Sequence, residues 1–258
     1  MILRRLILLL LVLGSFLQTP WAWAFGFNVE PARIEVSVPP GQRRGKRVEV
    51  TNSSENPVHL TLYVRDVVTL PDGSTDYPPA GSTEWSCANW IQFVPAELDL
   101  VPGQTKDVRV SLTVPPEASG GHYAILFFES GPSYKEQGIG VNFRIGALVD
   151  AAVPNTQRYQ AKLAELSFVP PNQIKLVVLN EGNFLIRPKG KIKVLNAKGA
   201  KVAQLDLNPD RVGVLPKTLR AIPHTLEKAL VPGSYRVKAE VDYGARSLVV
   251  GELPITVQ

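Results

Sequence analysis

The chain has 258 residues, of which 28 are Lys or Arg and 23 are Asp or Glu, for a formal net charge of +5. With 45% hydrophobic and 20% charged residues, it has the composition of a folded protein and not of a disordered one. Cys87 is the only cysteine, which excludes an internal disulfide, so packed cores must supply the stability.

At the N-terminus, Arg4 and Arg5 precede an apolar run from Leu6 to Leu17, followed by Pro20, Ala22, Trp23 and Ala24. The run is shorter than the roughly 20 residues a membrane-spanning helix needs, and the small residues suit cleavage before Phe25. Residues 1–24 therefore read as a secretory signal peptide, with an uncleaved anchor as the alternative. The expected location is periplasmic or secreted, with no membrane-spanning segment after cleavage. Cleavage leaves 26 basic and 23 acidic residues. They are unevenly placed: residues 25–159 hold 11 basic against 15 acidic, and residues 160–258 hold 15 against 8. Halves of opposite sign predict two domains, 25–152 and 161–258, joined by a short polar linker at 153–160. Each half has enough chain for a sandwich of roughly 100 residues.

In the first domain, Phe27 and Val29, then Ile34, Val36 and Val38, read as opening strands, and Val48 with Val50 as the next. A strand on Val58, Leu60, Leu62 and Val64 leads to a hairpin tip at Asp72-Gly73. The Pro71–Asn89 stretch, with Tyr77, Trp85 and Cys87, is the longest loop. From Trp90 onward, Leu98, Leu100, Pro102-Gly103, Val108, Val110, Leu112 and Val114 alternate apolar with polar up to Gly120-Gly121. Such alternation, broken by turn residues, specifies half-buried antiparallel strands. Tyr123, Ile125 and Phe127 follow, and then a strand from Ile139 to Val149. In that last strand Ile139, Val141, Phe143, Ile145, Ala147 and Val149 share one face. The face either covers the core or lies partly at a sheet edge, where a partner could add a strand; both can hold along different parts.

The second domain repeats this order. Val48–Asn52 is echoed by Val177–Asn180, and Gly121 with Tyr123 by Gly233 with Tyr235. The chain is thus expected to be all-β, two tandem immunoglobulin-like sandwiches. Arg187, Lys189, Lys191 and Lys193 alternate along one strand. They form either a solvated, edge-protecting surface or a stripe for an anionic envelope polymer. Nucleic acid is a poor match, since the stripe lacks the interleaved aromatics of such modules.

No catalytic constellation emerges. His59, His122 and His224 lack metal-ligand spacing to one another or to other ligands, and no nucleophile elbow or phosphate loop is found. The expectation is a non-enzymatic protein without metal or cofactor.

Pro31, Arg33 and Ile34, Trp90-Ile91, Pro95, Leu100, Pro102-Gly103, Val108, Val110, Pro115 and the Phe127-Phe128 strand together resemble the periplasmic pilus-assembly (PapD-like) chaperones. The resemblance spans most of the mature chain and is stronger in residues 27–150. It implies that the last strand of the first domain is lent to an incomplete exported subunit, which places Ile139, Val141, Phe143 and Ile145 against the partner strand. It also implies a cleft in which two cations hold the partner's terminal carboxylate. Arg33 matches the first. The second falls near Gly146, where the family has a lysine, and Arg144, two residues away, is the candidate substitute. A second resemblance, through Trp90-Ile91, Leu100, Pro102-Gly103 and Pro115–Tyr123, is to the surface proteins that accompany WxL-domain proteins. It implies binding of peptidoglycan or another envelope polysaccharide, with Trp85, Trp90 and the Pro71–Asn89 loop as candidate contacts, Trp90 reading in preference as a core residue. Strand donation to an exported protein leads, and polymer binding is the alternative.

Overall fold

The computed structural model describes residues 26–70, 72–131 and 142–258. The expected signal peptide, and Ile139 and Val141 of the expected partner strand, lie outside the described residues. The first half forms β1 (Phe27–Glu30), β2 (Arg33–Ser37), β3 (Arg43–Asn52), β4 (Val58–Arg65), a small hairpin of β5 (Val68–Thr69) and β6 (Thr75–Asp76), β7 (Ile91–Val94), β8 (Glu97–Leu100), β9 (Thr105–Thr113), β10 (Gly120–Ser130) and β11 (Arg144–Val153). Two sheets, β1-β3-β9-β7 and β2-β11-β10-β4-β8, face each other across one core. The alternation read from the sequence is what buries them. Ile34, Val36 and Val38, and likewise Val108, Val110 and Leu112, point inward while their neighbours face water. The β2–β11 pair is parallel, and β10 pairs antiparallel with β11 and β4.

The second half forms β12 (Ala161–Val169), β13 (Gln173–Asn180), β14 (Lys189–Asn196), β15 (Lys201–Leu207), β16 (Leu219–Thr225), β17 (Gly233–Asp242) and β18 (Val249–Val257). Its sheets, β12-β13-β16 and β15-β14-β17-β18, enclose a separate core around Leu176, Ile192, Val194 and Val237. The molecule is all-β, built as two immunoglobulin-like sandwiches.

The internal echo between the halves extends to hydrogen bonding. Asn52 is fully buried; its amide donates to the Asn56 and Leu100 carbonyls and its side-chain oxygen accepts from the Ser54 N–H. Asn180, also fully buried, donates to the Phe184 and Val214 carbonyls and accepts from the Gly182 N–H. Each asparagine closes the turn after the equivalent strand and ties it to a distant segment. An apolar residue there would strand those donors and acceptors inside the protein.

His224 on β16 alternates with Ile222 toward the interior, and its Nε2 has no partner among the described residues. Burial holds its imidazole below the ordinary value of 6.5. The unfolded chain therefore takes up a proton that the folded chain refuses, so stability is lost as pH falls below about 6.5. His224→Leu is expected to flatten part of that acid-side loss. Urea midpoints at pH 7.5 and 5.5 check this, and an unchanged slope would show that other groups account for the acid sensitivity.

Candidate functional site

The two sandwiches meet through the start of β10. A Cβ on Gly120, whose φ is +84°, would come within 2.3 Å of the Asn183 carbonyl oxygen. One on Gly121 would come within 2.7 Å of the Phe184 ring and 2.2 Å of the Tyr123 hydroxyl. The paired glycines let the Asn183–Phe184 loop pack directly on the strand. Hydrogen bonds then cross the junction: Gly121 N–H donates to the Asn183 carbonyl at 2.8 Å, and Leu185 N–H to the Tyr123 side-chain hydroxyl at 2.7 Å. The linker is held as well. Arg158 N–H donates to the Asn183 side chain, Asn183 donates to the Thr156 carbonyl, and the Thr156 hydroxyl accepts from Gly120 N–H. Val67, Tyr123 and Leu215 form a small buried cluster, with Trp85, Leu148 and Leu185 packed against it.

Strand β10 is apolar on both faces: Ala124, Leu126 and Phe128 enter the core, while Ile125 and Phe127 lie buried on the other side, where residues 72–89 contribute Tyr77. Tyr77 stands edge-on to Phe127, with ring centroids 4.9 Å apart. The loop is organised by Asp66, which is fully buried and accepts from Gly81 N–H, Thr83 N–H, the Thr83 hydroxyl and the Ser86 hydroxyl. Both tryptophans offered as polymer contacts have structural surroundings. Trp85 donates its indole N–H to the Val67 carbonyl within the junction, and Trp90 packs on the first core beside His122. Cys87 is fully buried, and desolvation pushes its thiol well above 9.0, reinforced by Asp150 and Asp66. That is the opposite of an activated nucleophile.

The expected Ile139–Val149 strand is observed as β11 from Arg144, four residues beyond Val149 at its far end. Its odd-numbered residues face the core. Ala147, Val149, Ala151 and Val153 are buried, and Phe143 and Ile145 are half-buried against the same core. Along its length β11 has two neighbours only from Leu148 onward, where Leu148 lies opposite Arg33 of β2. Over Arg144–Ala147 its one partner among the described residues is β10. Leu148 N–H donates toward the β2 side, to the Ala32 carbonyl, so the backbone groups of Arg144 and Gly146, at the same parity, face that open side.

Beside this edge, between the sandwiches, runs a cleft of about 700 Å³. Arg33 and Arg144 both line it, together with Arg187, Arg211 and Arg220 of the second half; Asp150 is the one acid in its wall among the described residues. The Arg144 guanidinium lies over the Phe127 ring, 4.7 Å from its centroid. Arg33 is ion-paired with Asp150. Gly146 also lines the cleft, and the structure gives a physical reason for glycine at this position. A Cβ there would fall 2.4 Å from the Ile125 Cδ1 and 3.0 Å from Phe127, so a lysine could not be built without moving β10 side chains.

The row of four cations read on one strand is divided. β14 begins at Lys189, so Arg187 precedes it and belongs to the cleft wall. Lys189, Lys191 and Lys193 are each ion-paired with an acid on a neighbouring strand: Asp242, Asp206 and Glu240 respectively. Sequence reading along a single strand could not see those partners, nor could it see that Arg187, Arg211 and Arg220 converge with Arg33.

No protein-family model matches the chain, and no curated protein matches it in sequence. Solved structures do. The class 5 fimbriae chaperone CfaA is 13% identical over 89% of this chain and all of that one, with a TM-score of 0.51. A chain of the chaperone–tip adhesin complex of CFA/I fimbriae biogenesis gives 13% identity, 90% and 100% coverage, and a TM-score of 0.51. At this identity the likeness establishes the fold: the chain is built like the two-domain fimbrial chaperones. The resemblance to the WxL-associated surface proteins finds no support in these comparisons.

Proposed function

We propose that this is a non-enzymatic periplasmic chaperone that binds an exported protein subunit by strand addition along β11. The observation that carries the reading is the coincidence of two features. Among the described residues, the edge of β11 carries no strand over Arg144–Ala147, and it ends at Arg33 in a cationic cleft. A strand occupying that edge would lie in line with β2. If its carboxylate ended at Arg33, it would run parallel to β11, as β2 does. Main-chain bonds would supply the affinity, and the guanidinium would fix the register. The signal sequence and the fold shared with fimbrial chaperones support export to the periplasm. Phe143 and Ile145, half-buried on the core, would contribute from the strand's inner face, while Arg33 and Arg144 serve as the carboxylate anchor.

The test uses the mature chain as bait in a periplasmic extract of its native cells. Arg144→Pro deletes an N–H that faces the open edge and makes no bond to β10; Arg144→Gln removes the charge alone. With folding verified by circular dichroism, an exported partner retained by wild type and reduced or kept by Arg144→Gln but lost with Arg144→Pro is the expected result. Equal capture by all three proteins would rule out strand addition at this edge.

A further inference from the structure

Resting on that reading, we propose that the cleft selects clients whose C-terminal segment is acidic, through arginines that the second sandwich contributes. The starting point is an imbalance of charge. Five guanidiniums line the cleft against one carboxylate among the described residues, Asp150, which pairs with Arg33. Among the described residues, Arg144, Arg187, Arg211 and Arg220 make no ion pair, whereas each lysine of β14 makes one. The same half of the chain thus pairs off its strand lysines while its cleft arginines stand without an ion-pair partner among the described residues, Arg220 also bordering a neighbouring pocket that Asp72, Asp206 and Asp210 line.

Like charges collected in a concave, partly desolvated space repel one another and focus a positive potential. Arg220 is half-buried, with its guanidinium close to the Gly73 hairpin tip. Burial lowers its basicity, as expected for a cation without a counter-ion. A terminal carboxylate would answer one of these four charges. The remainder are matched by acidic side chains in the residues just before the client's C-terminus, because Arg187, Arg211 and Arg220 face the same space from the opposite wall. Arginine suits the task, since its planar fork takes a carboxylate bidentately.

The experiment measures fluorescence anisotropy of short labelled peptides with the mature chain at physiological salt. The peptides alternate valine and serine and end in a free carboxylate. One carries two aspartates near the C-terminus, another asparagines at the same places, and both are also made C-terminally amidated. The aspartate peptide is expected to bind about 5- to 10-fold more tightly than the asparagine one. An Arg187→Gln, Arg220→Gln double variant should abolish that difference while leaving the asparagine peptide's affinity in place. Equal affinity for the two free-acid peptides, with both weakened by amidation, would overturn the acidic preference and leave the chaperone reading standing. Failure of every peptide to bind would overturn both. Binding of heparin alone, lost in the double variant, would overturn both in favour of a polyanion ligand.

Discussion

Asp66→Ala is expected to lower stability by about 3–5 kcal/mol and to open the Pro78–Ser86 segment to proteolysis. The carboxylate is fully buried and its two oxygens accept four hydrogen bonds, two of them from the backbone N–H groups of Gly81 and Thr83. The Thr83 and Ser86 hydroxyls can rotate toward other acceptors; the two N–H groups are fixed by the chain and would be left unpaired. A donor stranded in the interior costs about 1–3 kcal/mol, and alanine adds a void where the carboxylate was. Damage would reach the cleft, because the Trp85 carbonyl accepts the Tyr123 N–H at 2.7 Å and the Tyr123 hydroxyl accepts from Leu185 of the second sandwich. Asp66→Asn keeps one accepting oxygen and should fall between wild type and alanine. Urea midpoints and limited trypsin digestion measure both effects. An alanine variant within about 1 kcal/mol of wild type, with the loop still protected, would mean that water replaces the carboxylate.

Asp66 also marks where sequence reading stops. It is a lone acid among Val64, Val67 and Val68, an anomaly visible in one dimension, but its partners lie 15 to 20 residues away across a stretch that reads as a plain surface loop. Elements whose logic is local were legible. Period-two alternation put Ile34, Val36, Val108, Val110 and Leu112 in the core, and the echo of Val48–Asn52 in Val177–Asn180 is a true structural repeat centred on two buried asparagines. Gly120-Gly121 was legible as punctuation only. Its cause is the approach of Asn183, more than 60 residues on. The cleft was half legible: Arg33 and Arg144 do share it, but three further arginines arrive from separate segments with no spacing to connect them. The lysine row was legible as a run of cations but not its pairing, because its counter-charges belong to β15 and β17. Non-local pairing, not weak patterning, accounts for each of these gaps.

The Arg33–Asp150 pair should respond asymmetrically to loss of its members. Asp150 is the more buried partner, its side chain 18% exposed against 39% for Arg33. Desolvation raises its carboxyl above 3.8 even though Arg33, and more weakly Arg187, pull the other way; Glu35 adds to the rise. The charged form is therefore a net burden in the folded state. A folded value above the unfolded one means that stability is greatest below the unfolded value, near 3.8, and is lost as pH rises through the folded value. Asp150→Asn removes the burden and should match or exceed wild-type stability at pH 7. Arg33→Gln leaves the carboxylate without its principal cation and should cost about 1–3 kcal/mol at pH 7, with the loss shrinking as pH falls and Asp150 takes up a proton. The pair also bears on binding. Asp150 occupies the guanidinium that a client's carboxylate would use, so Asp150→Asn should tighten binding of a free-acid peptide about 5-fold and leave its amidated counterpart unchanged. Tighter binding of both peptides would mean that the residue acts through the overall charge of the cleft. Loss of more than about 1 kcal/mol of stability in Asp150→Asn would show that pairing outweighs desolvation there.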